Sequence, residues 1–330
     1  MSPSPSSNTS VSRGYTAALI SALLLSTTAI LIRILTQDHH LPALLLAFWR
    51  DVMVAAVILL VLLVVKPSLL RLQAGNLGYL IGYGLVLALF NALWTLSVAI
   101  NGAAISTVLV YSSAAFTALL GRWLLKESLD WVKIVSVVLT FAGCFFVSGV
   151  LDQAELNANL GGLLTGVLSG LLYAIYSLMG RFASQRGINP WTTLPYIFAF
   201  ASVFLLGINV LGVGILPGAP ASPVEILWQD GTLAGWAILF ALAVGPTLLG
   251  FATYLISLSQ LPSSVANLLM TSEPVFTSII AYFLLAERLT PSQIGGSLLI
   301  LAGVVFMRIM EGKRARLASQ NEEEVLPAAD

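Results

Sequence analysis

Ten stretches of about 20 mostly apolar residues follow one another along this 330-residue chain, separated by short polar breaks. A helix of about 20 residues rises roughly 30 Å, the thickness of the hydrocarbon core of a bilayer. The stretches lie at about 14–36, 43–65, 76–98, 103–125, 131–150, 160–182, 191–213, 233–258, 263–285 and 291–310. Segments such as Val52–Val65 are apolar throughout and lack the period-two alternation of barrel strands. Composition points the same way: 58% of the residues are hydrophobic and 9% are charged, against about 25% charged in soluble domains. Fifteen basic and fifteen acidic side chains cannot coat a soluble chain of this length, and the apolar mass excludes a disordered one. A net charge of zero leaves no basic excess to meet nucleic-acid phosphates. Cys144 is the single cysteine, so neither an intrachain disulfide nor a thiolate metal cluster is available. The expected fold is an all-α integral membrane protein with ten transmembrane helices.

The ends differ from the middle. Residues 1–12 are rich in Ser, Pro, Asn and Thr, and residues 311–330 carry Lys313, Arg314 and Arg316 followed by Glu322, Glu323 and Glu324. Both read as disordered tails. Arg13 before an apolar run resembles a signal peptide, but the run is too long and nine more spans follow. The longest connector, Gly214 to Thr232, contains Pro217, Pro220 and Pro223 and no Lys or Arg; it leaves room for a short interfacial segment around Ile226–Trp228. With the N-terminus in the cytoplasm, twelve of the fifteen basic residues fall on that side, Arg33 and Arg288 fall opposite, and Arg50 lies within a span. The positive-inside rule then places both termini in the cytoplasm of a multi-pass plasma-membrane protein.

The chain is doubled. Residues 107–147 and 267–307 align at an offset of 160 without a gap, with thirteen of 41 positions identical, among them Phe116/Phe276, Thr117/Thr277, Glu127/Glu287 and Gly143/Gly303. Earlier in each half an offset of 148 pairs Ser21/Ser169, Arg33/Arg181 and Pro42/Pro190. The halves are therefore 13–150 and 151–310, five spans each. Because five is odd, the second copy starts on the opposite side of the membrane, and the expected architecture is two inverted five-helix repeats. Inverted repeats recur in secondary transporters, with the substrate site near the midplane between the repeats.

Ser272-Glu273-Pro274-Val275-Phe276, then Leu284-Leu285-Ala286-Glu287-Arg288-Leu289-Thr290, then Gln293, Gly295 and Ala302-Gly303-Val304 resemble the second repeat of the EamA family, in the drug/metabolite transporter superfamily. Arg50, in Ala47-Phe48-Trp49-Arg50, resembles the arginine common in that family's second helix. The resemblance covers almost all of 14–310 and implies ten helices in two five-helix repeats. It also implies export or exchange of small metabolites or drugs. The first repeat departs from the pattern: Ala114 stands opposite Pro274, Lys126 precedes Glu127, and Ser26-Thr27-Thr28 replaces the common Trp-Gly pair.

Glu273 is the sharpest candidate for coupling. It lies about ten residues into the ninth span, near mid-bilayer, where a carboxylate costs about 2.5–3.5 kcal/mol on insertion scales. It needs a cavity, a partner or a proton, which makes it a candidate proton carrier as well as a candidate packing acid. Pro274 frees the carbonyl of Met270, four residues back, and so creates a polar notch beside the acid. Arg50 is suited to a substrate carboxylate or phosphate, to pairing with Glu273, or to reaching the outer headgroups. Asp51 points about 100° away on the same helix and has no evident partner. Asn91, Trp94, Tyr111, Ser112, Tyr173, Tyr176, Tyr254 and Asn267 lie at a similar depth, as solute-contacting or packing groups. Trp94 and Tyr254 are repeat mates near opposite ends of the bundle, suited to gating or to lining a cavity. Gly162, Gly166 and Gly170 form a small-residue stripe for close helix approach. Glu127 and Glu287 read as hydrogen-bonding groups at helix ends, and Gly245-Pro246 as a break in the eighth span.

Catalysis finds no foothold. His39 and His40 are the only histidines, adjacent in a loop beside Asp38, and read as a solvated pair rather than a metal site. No GxxxxGK[ST], HExxH or GxSxG motif occurs, so neither an enzyme nor an ATP-driven pump is expected, and no cofactor. The sequence points to a secondary transporter of a small molecule, an exporter or exchanger whose partners are its solute, the lipid bilayer and, through Glu273, protons. A non-transporting solute receptor or assembly subunit, and a lipid-carrier flippase, are the alternatives.

Overall fold

The computed structural model describes residues 5–71, 74–124, 131–147, 153–229, 231–260 and 269–325, and those residues contain helices and no strand. In chain order the helices are α1 (Pro5–Gln37), α2 (Ala43–Val65), α3 (Leu77–Asn101), α4 (Ala103–Val110), α5 (Ser113–Leu124), α6 (Trp131–Val147), α7 (Gln153–Gln185), α8 (Pro190–Gly212), α9 (Leu233–Leu242), α10 (Gly250–Gln260), α11 (Glu273–Leu284) and α12 (Pro291–Val325). Among the described residues, seven segments are long and apolar enough to cross a membrane; Trp131–Val147, Glu273–Leu284 and Pro291–Met307 are shorter apolar helices. Helix continues through much of both stretches expected to be disordered, from Pro5 and as far as Val325. A span has already met the cost of helix nucleation, so adding Lys, Arg, Ala and Glu at its end is cheap.

The duplication is visible in the element boundaries. An offset of 148 carries Pro5–Gln37 onto Gln153–Gln185, and 160 carries Ser113–Leu124 onto Glu273–Leu284. Packing pairs off accordingly. Helix α3 lies along α7, as α10 lies along α1; α5 touches α7, as α11 touches α1; and α2 packs on its own mate α8, as α6 does on α12. Asn209 of α8 donates to the Leu44 carbonyl of α2 at 3.0 Å. The α6–α12 contact is built on glycine: a side chain at Gly143 or Gly296 would run into the backbone of the other helix. The main apolar core is shared by α1, α2, α3, α8 and α9.

Two of the expected spans are broken near their middles. The fourth turns at Tyr111–Ser112, where the amides of Tyr111 and Ser112 reach three residues back to Val108 (3.1 Å) and Leu109 (3.0 Å). The ninth turns at Thr271–Ser272, the positions offset by 160, where Ser272 N–H bonds to the Leu269 carbonyl at 3.0 Å. Only the second break is followed by proline, so Ala114 does not prevent the first. In the eighth span, Ala243–Leu249 is a π-helical turn containing Pro246. Proline has no N–H for the Leu242 carbonyl four residues back, and the Thr247 hydroxyl takes that carbonyl at 2.9 Å.

The long connector does not lie free. Pro223–Leu227 forms a 3-10 turn. The Trp49 indole N–H donates to the Ile226 carbonyl at 3.0 Å, and the Trp49 and Trp228 rings lie 5.1 Å and 4.8 Å from Trp236.

Candidate functional site

A cavity of about 260 Å³ lies among α1, α2, α3, α4–α5, α7, α8, α10, the start of α11 and α12. It gathers eight residues singled out from the sequence: Arg50, Asn91, Trp94, Tyr111, Tyr173, Tyr176, Tyr254 and Glu273. Both broken helices and the π turn border it, through Tyr111 and Ser113, Met270 and Thr271, and Thr247. Interrupted helices are how membrane proteins bring backbone polar groups to a buried site. Asn267 lies outside the described residues.

At one pole stands Glu273, the first residue of α11. The Tyr111 hydroxyl donates to the Met270 carbonyl at 2.8 Å and lies 3.1 Å from Oε2 of Glu273. That carbonyl is the one Pro274 leaves without an N–H, so the notch expected from sequence exists and is filled by a side chain from the other half of the chain. Among the described residues no lysine or arginine pairs with Glu273. Pro274 itself is buried against the bundle.

Arg50 stands at the other pole, from the middle of α2, and it does not pair with Glu273. Its Nε–H donates to Oδ1 of Asp51 at 3.3 Å, and Asn91 donates to Oδ2 of the same carboxylate at 2.7 Å. The sequence reading that left Asp51 without a partner is therefore corrected. A separation of 100° at the backbone does not keep neighbours apart when a long arginine side chain can fold back. Asp51 is 0% exposed and Arg50 is 2% exposed, and the guanidinium lies 5.7 Å from the Trp94 ring.

Aromatic rings form the wall between the poles. Phe90 lies 5.2 Å from Tyr173 and 6.3 Å from Trp94, and Tyr173 stacks with Tyr176 at 6.1 Å. Trp94 and Tyr254, placed by sequence toward opposite ends of the bundle, both line this one cavity. Phe90 was missed; its position one residue before Asn91 and four before Trp94 on one helix was the available signal.

The glycine stripe lies behind the wall. Side chains added at Gly162, Gly166 and Gly170 would meet Asn101, Leu109 and Ser112 respectively, so the stripe seats α7 against α3 and the α4–α5 break.

A second polar junction closes one end of the bundle. Glu287 accepts from the backbone N–H groups of Ala103 (2.8 Å) and Ala104 (3.1 Å), capping α4. Arg33 lies 3.7 Å from the same carboxylate and donates to the α3 carbonyls of Val98 (3.3 Å) and Ala99. Gly102, at φ +88°, makes the turn between α3 and α4, and a Cβ there would lie 2.6 Å from Oε1 of Glu287. This agrees with reading Glu287 as a helix-end group; Glu127 lies outside the described residues.

The profile of the EamA-like transporter family matches this chain twice, over residues 12–149 and 160–309. The chain belongs to the EamA-like transporter family. Curated relatives agree. An uncharacterized transporter of Clostridium kluyveri is 23% identical over 301 residues, covering 89% of this chain and 92% of that protein. The threonine/homoserine exporter RhtA of Escherichia coli is 26% identical over 232 residues, covering 69% of this chain and 70% of RhtA. A solved crystal structure at 18% identity superposes with a TM-score of 0.56 over 92% of this chain and 98% of its own, which shows the shared fold. The family and its relatives make this EamA-like protein a multi-pass membrane transporter, and a transporter of this kind acts on a small molecule.

Proposed function

We propose that this EamA-like protein is a secondary transporter that exports or exchanges a small organic solute by alternating access, with proton coupling at Glu273. The repeats, 13–150 and 151–310, are taken as two inverted five-helix units in the plasma membrane with both termini cytoplasmic. Similar units in opposite orientation can exchange conformations, so an inward-open and an outward-open state have nearly equal energy. The relative named as a threonine/homoserine exporter favours export.

The observation that carries the reading is the position of the Tyr111 hydroxyl, 2.8 Å from the Met270 carbonyl and 3.1 Å from Glu273. A phenol has one proton to donate. When Glu273 is protonated, its O–H donates to the Tyr111 oxygen while Tyr111 donates to Met270, and every group is satisfied. When Glu273 is ionised, Tyr111 turns its proton to the carboxylate and the Met270 carbonyl loses its partner. The protonation state is thereby linked to the backbone of a broken helix.

Flux of amino acids, nucleobases, sugars and cationic drugs into inside-out vesicles, with and without a proton gradient, tests this. Gradient-driven uptake that survives in wild type and is abolished in a folded Glu273→Gln variant is the expected result. Uptake untouched by that substitution would make Glu273 a structural acid.

A further inference from the structure

We infer that the cavity selects monocationic organic amines, and that Asp51, which does not line it, sets this preference by neutralising Arg50. The inference rests on the reading of the cavity as the cargo site and names the chemistry of the cargo.

The argument is one of charge balance in a buried space. Arg50 would ordinarily recommend the cavity to a carboxylate or phosphate. Here its positive charge is already matched by the Asp51 carboxylate at 3.3 Å, and Asp51 is held by Asn91 at 2.7 Å with no exposed surface of its own. The pair contributes no net charge. The remaining ionisable acid on the cavity wall is Glu273, which has no basic partner among the described residues. The other acids on the wall are the phenols Tyr111, Tyr173, Tyr176 and Tyr254, from α4–α5, α7 and α10. With a proton on Glu273 the interior is neutral when empty or when it holds an uncharged or zwitterionic solute; among cargoes of net charge, only a single ammonium group beside the ionised carboxylate leaves it neutral. An anion leaves it negative whichever form Glu273 takes, and net charge is expensive at this depth. The wall also favours an ammonium on an apolar body, since aromatic rings attract cations, and Phe90, Trp94, Tyr173 and Tyr176 line it. Loading then exchanges one proton for one amine: the carboxylic acid of Glu273 releases its proton to water as the ammonium group takes its place.

Three congeners of one shape separate the charges: 2-phenylethylamine, phenylalanine and 3-phenylpropanoate. Binding to the purified full-length protein is measured by calorimetry at fixed pH, with wild type, Asp51→Asn and the double variant Arg50→Gln/Asp51→Asn. Wild type is expected to bind the amine at least tenfold tighter than the acid, with phenylalanine between them. Asp51→Asn leaves Arg50 uncompensated and is expected to shrink that ratio at least tenfold. The double variant restores the balance of charge, so the amine preference should return; it also carries the test where the single variant does not fold. Wild type that binds the acid as tightly as the amine, or none of the three, overturns the amine assignment. A preference that Asp51→Asn leaves unchanged, or that the double variant does not restore, overturns the role of Asp51. In each case the cargo-site reading stands as long as Glu273→Gln still abolishes flux of the solutes carried. Flux indifferent to Glu273→Gln removes that reading and the inference with it.

Discussion

The single hydroxyl proton of Tyr111 serves two acceptors on the far side of the repeat interface, and this gives a prediction at the level of one atom. Tyr111→Phe keeps the ring and removes the hydroxyl. It leaves the Met270 carbonyl without a donor beside a buried proline and Glu273 without its 3.1 Å neighbour. Leaving buried polar groups unpaired costs about 1–3 kcal/mol, so the variant should unfold at lower temperature in detergent. It should also lose most of its gradient-driven flux while solute binding at fixed pH changes less than threefold. Flux that keeps its full dependence on the gradient would show that the hydroxyl is only a packing contact. Glu273, Pro274 and the freed Met270 carbonyl could all be read from the sequence, because a mid-span acid before a proline is locally conspicuous. Tyr111 as the donor could not be: it lies 159 residues from Met270, and sequence spacing says nothing of which distant helix supplies the hydrogen. Asp51 failed for a related reason, since backbone angles alone do not fix where a long side chain ends.

At the scale of elements, the α3–α4 junction is held by groups from three separate parts of the chain, and its weak points are identifiable. Glu287→Ala removes the cap on α4, and loss of a capping group costs about 0.5–2 kcal/mol. It also strips Arg33 of its carboxylate, leaving a cation held by the Val98 and Ala99 carbonyls alone. Glu287→Gln keeps one acceptor oxygen and should recover part of the loss in thermal unfolding. Gly102→Ala should be at least as damaging as Glu287→Ala, because the position combines φ +88° with a Cβ 2.6 Å from that same carboxylate. An alanine variant as stable as wild type would mean that the junction rearranges freely. Most helices were legible from hydropathy alone. The breaks in the fourth and ninth spans were not, because the few polar residues at Tyr111-Ser112-Ser113 and Thr271-Ser272-Glu273 barely change the hydropathy of a 20-residue span, and the interruption itself comes from hydrogen bonding three residues back. Gly245-Pro246 did announce the third interruption, since proline's missing N–H is a property of the residue itself.

For the molecule as a whole, the doubling of the sequence constrains energetics more than any one side chain does. Helix contacts that recur in pairs, α3 on α7 with α10 on α1, and α5 on α7 with α11 on α1, mean that an exchange of conformations between the halves breaks and remakes similar interfaces. Under the proposed alternating access, little energy then separates the two faces, and the direction of transport is set by the gradients and by what occupies the cavity. Under the charge balance argued for Arg50, Asp51 and Glu273, the cavity is neutral when it carries a proton and neutral when it carries an amine. One positive charge crosses each way in a full cycle, so the exchange moves no net charge. In proteoliposomes, a pH step across the membrane should drive uptake of the amine. A potassium-diffusion potential of either sign, imposed with valinomycin at equal pH, should change the initial rate less than twofold. An exchange of two protons per amine, or a carrier that returns empty and ionised, would instead respond steeply to the potential: each uncompensated charge is worth about 2.3 kcal/mol per 100 mV. The same experiment on Asp51→Asn adds one positive charge to the moving cavity. Potential-dependent flux should therefore appear in that variant when it is absent from wild type.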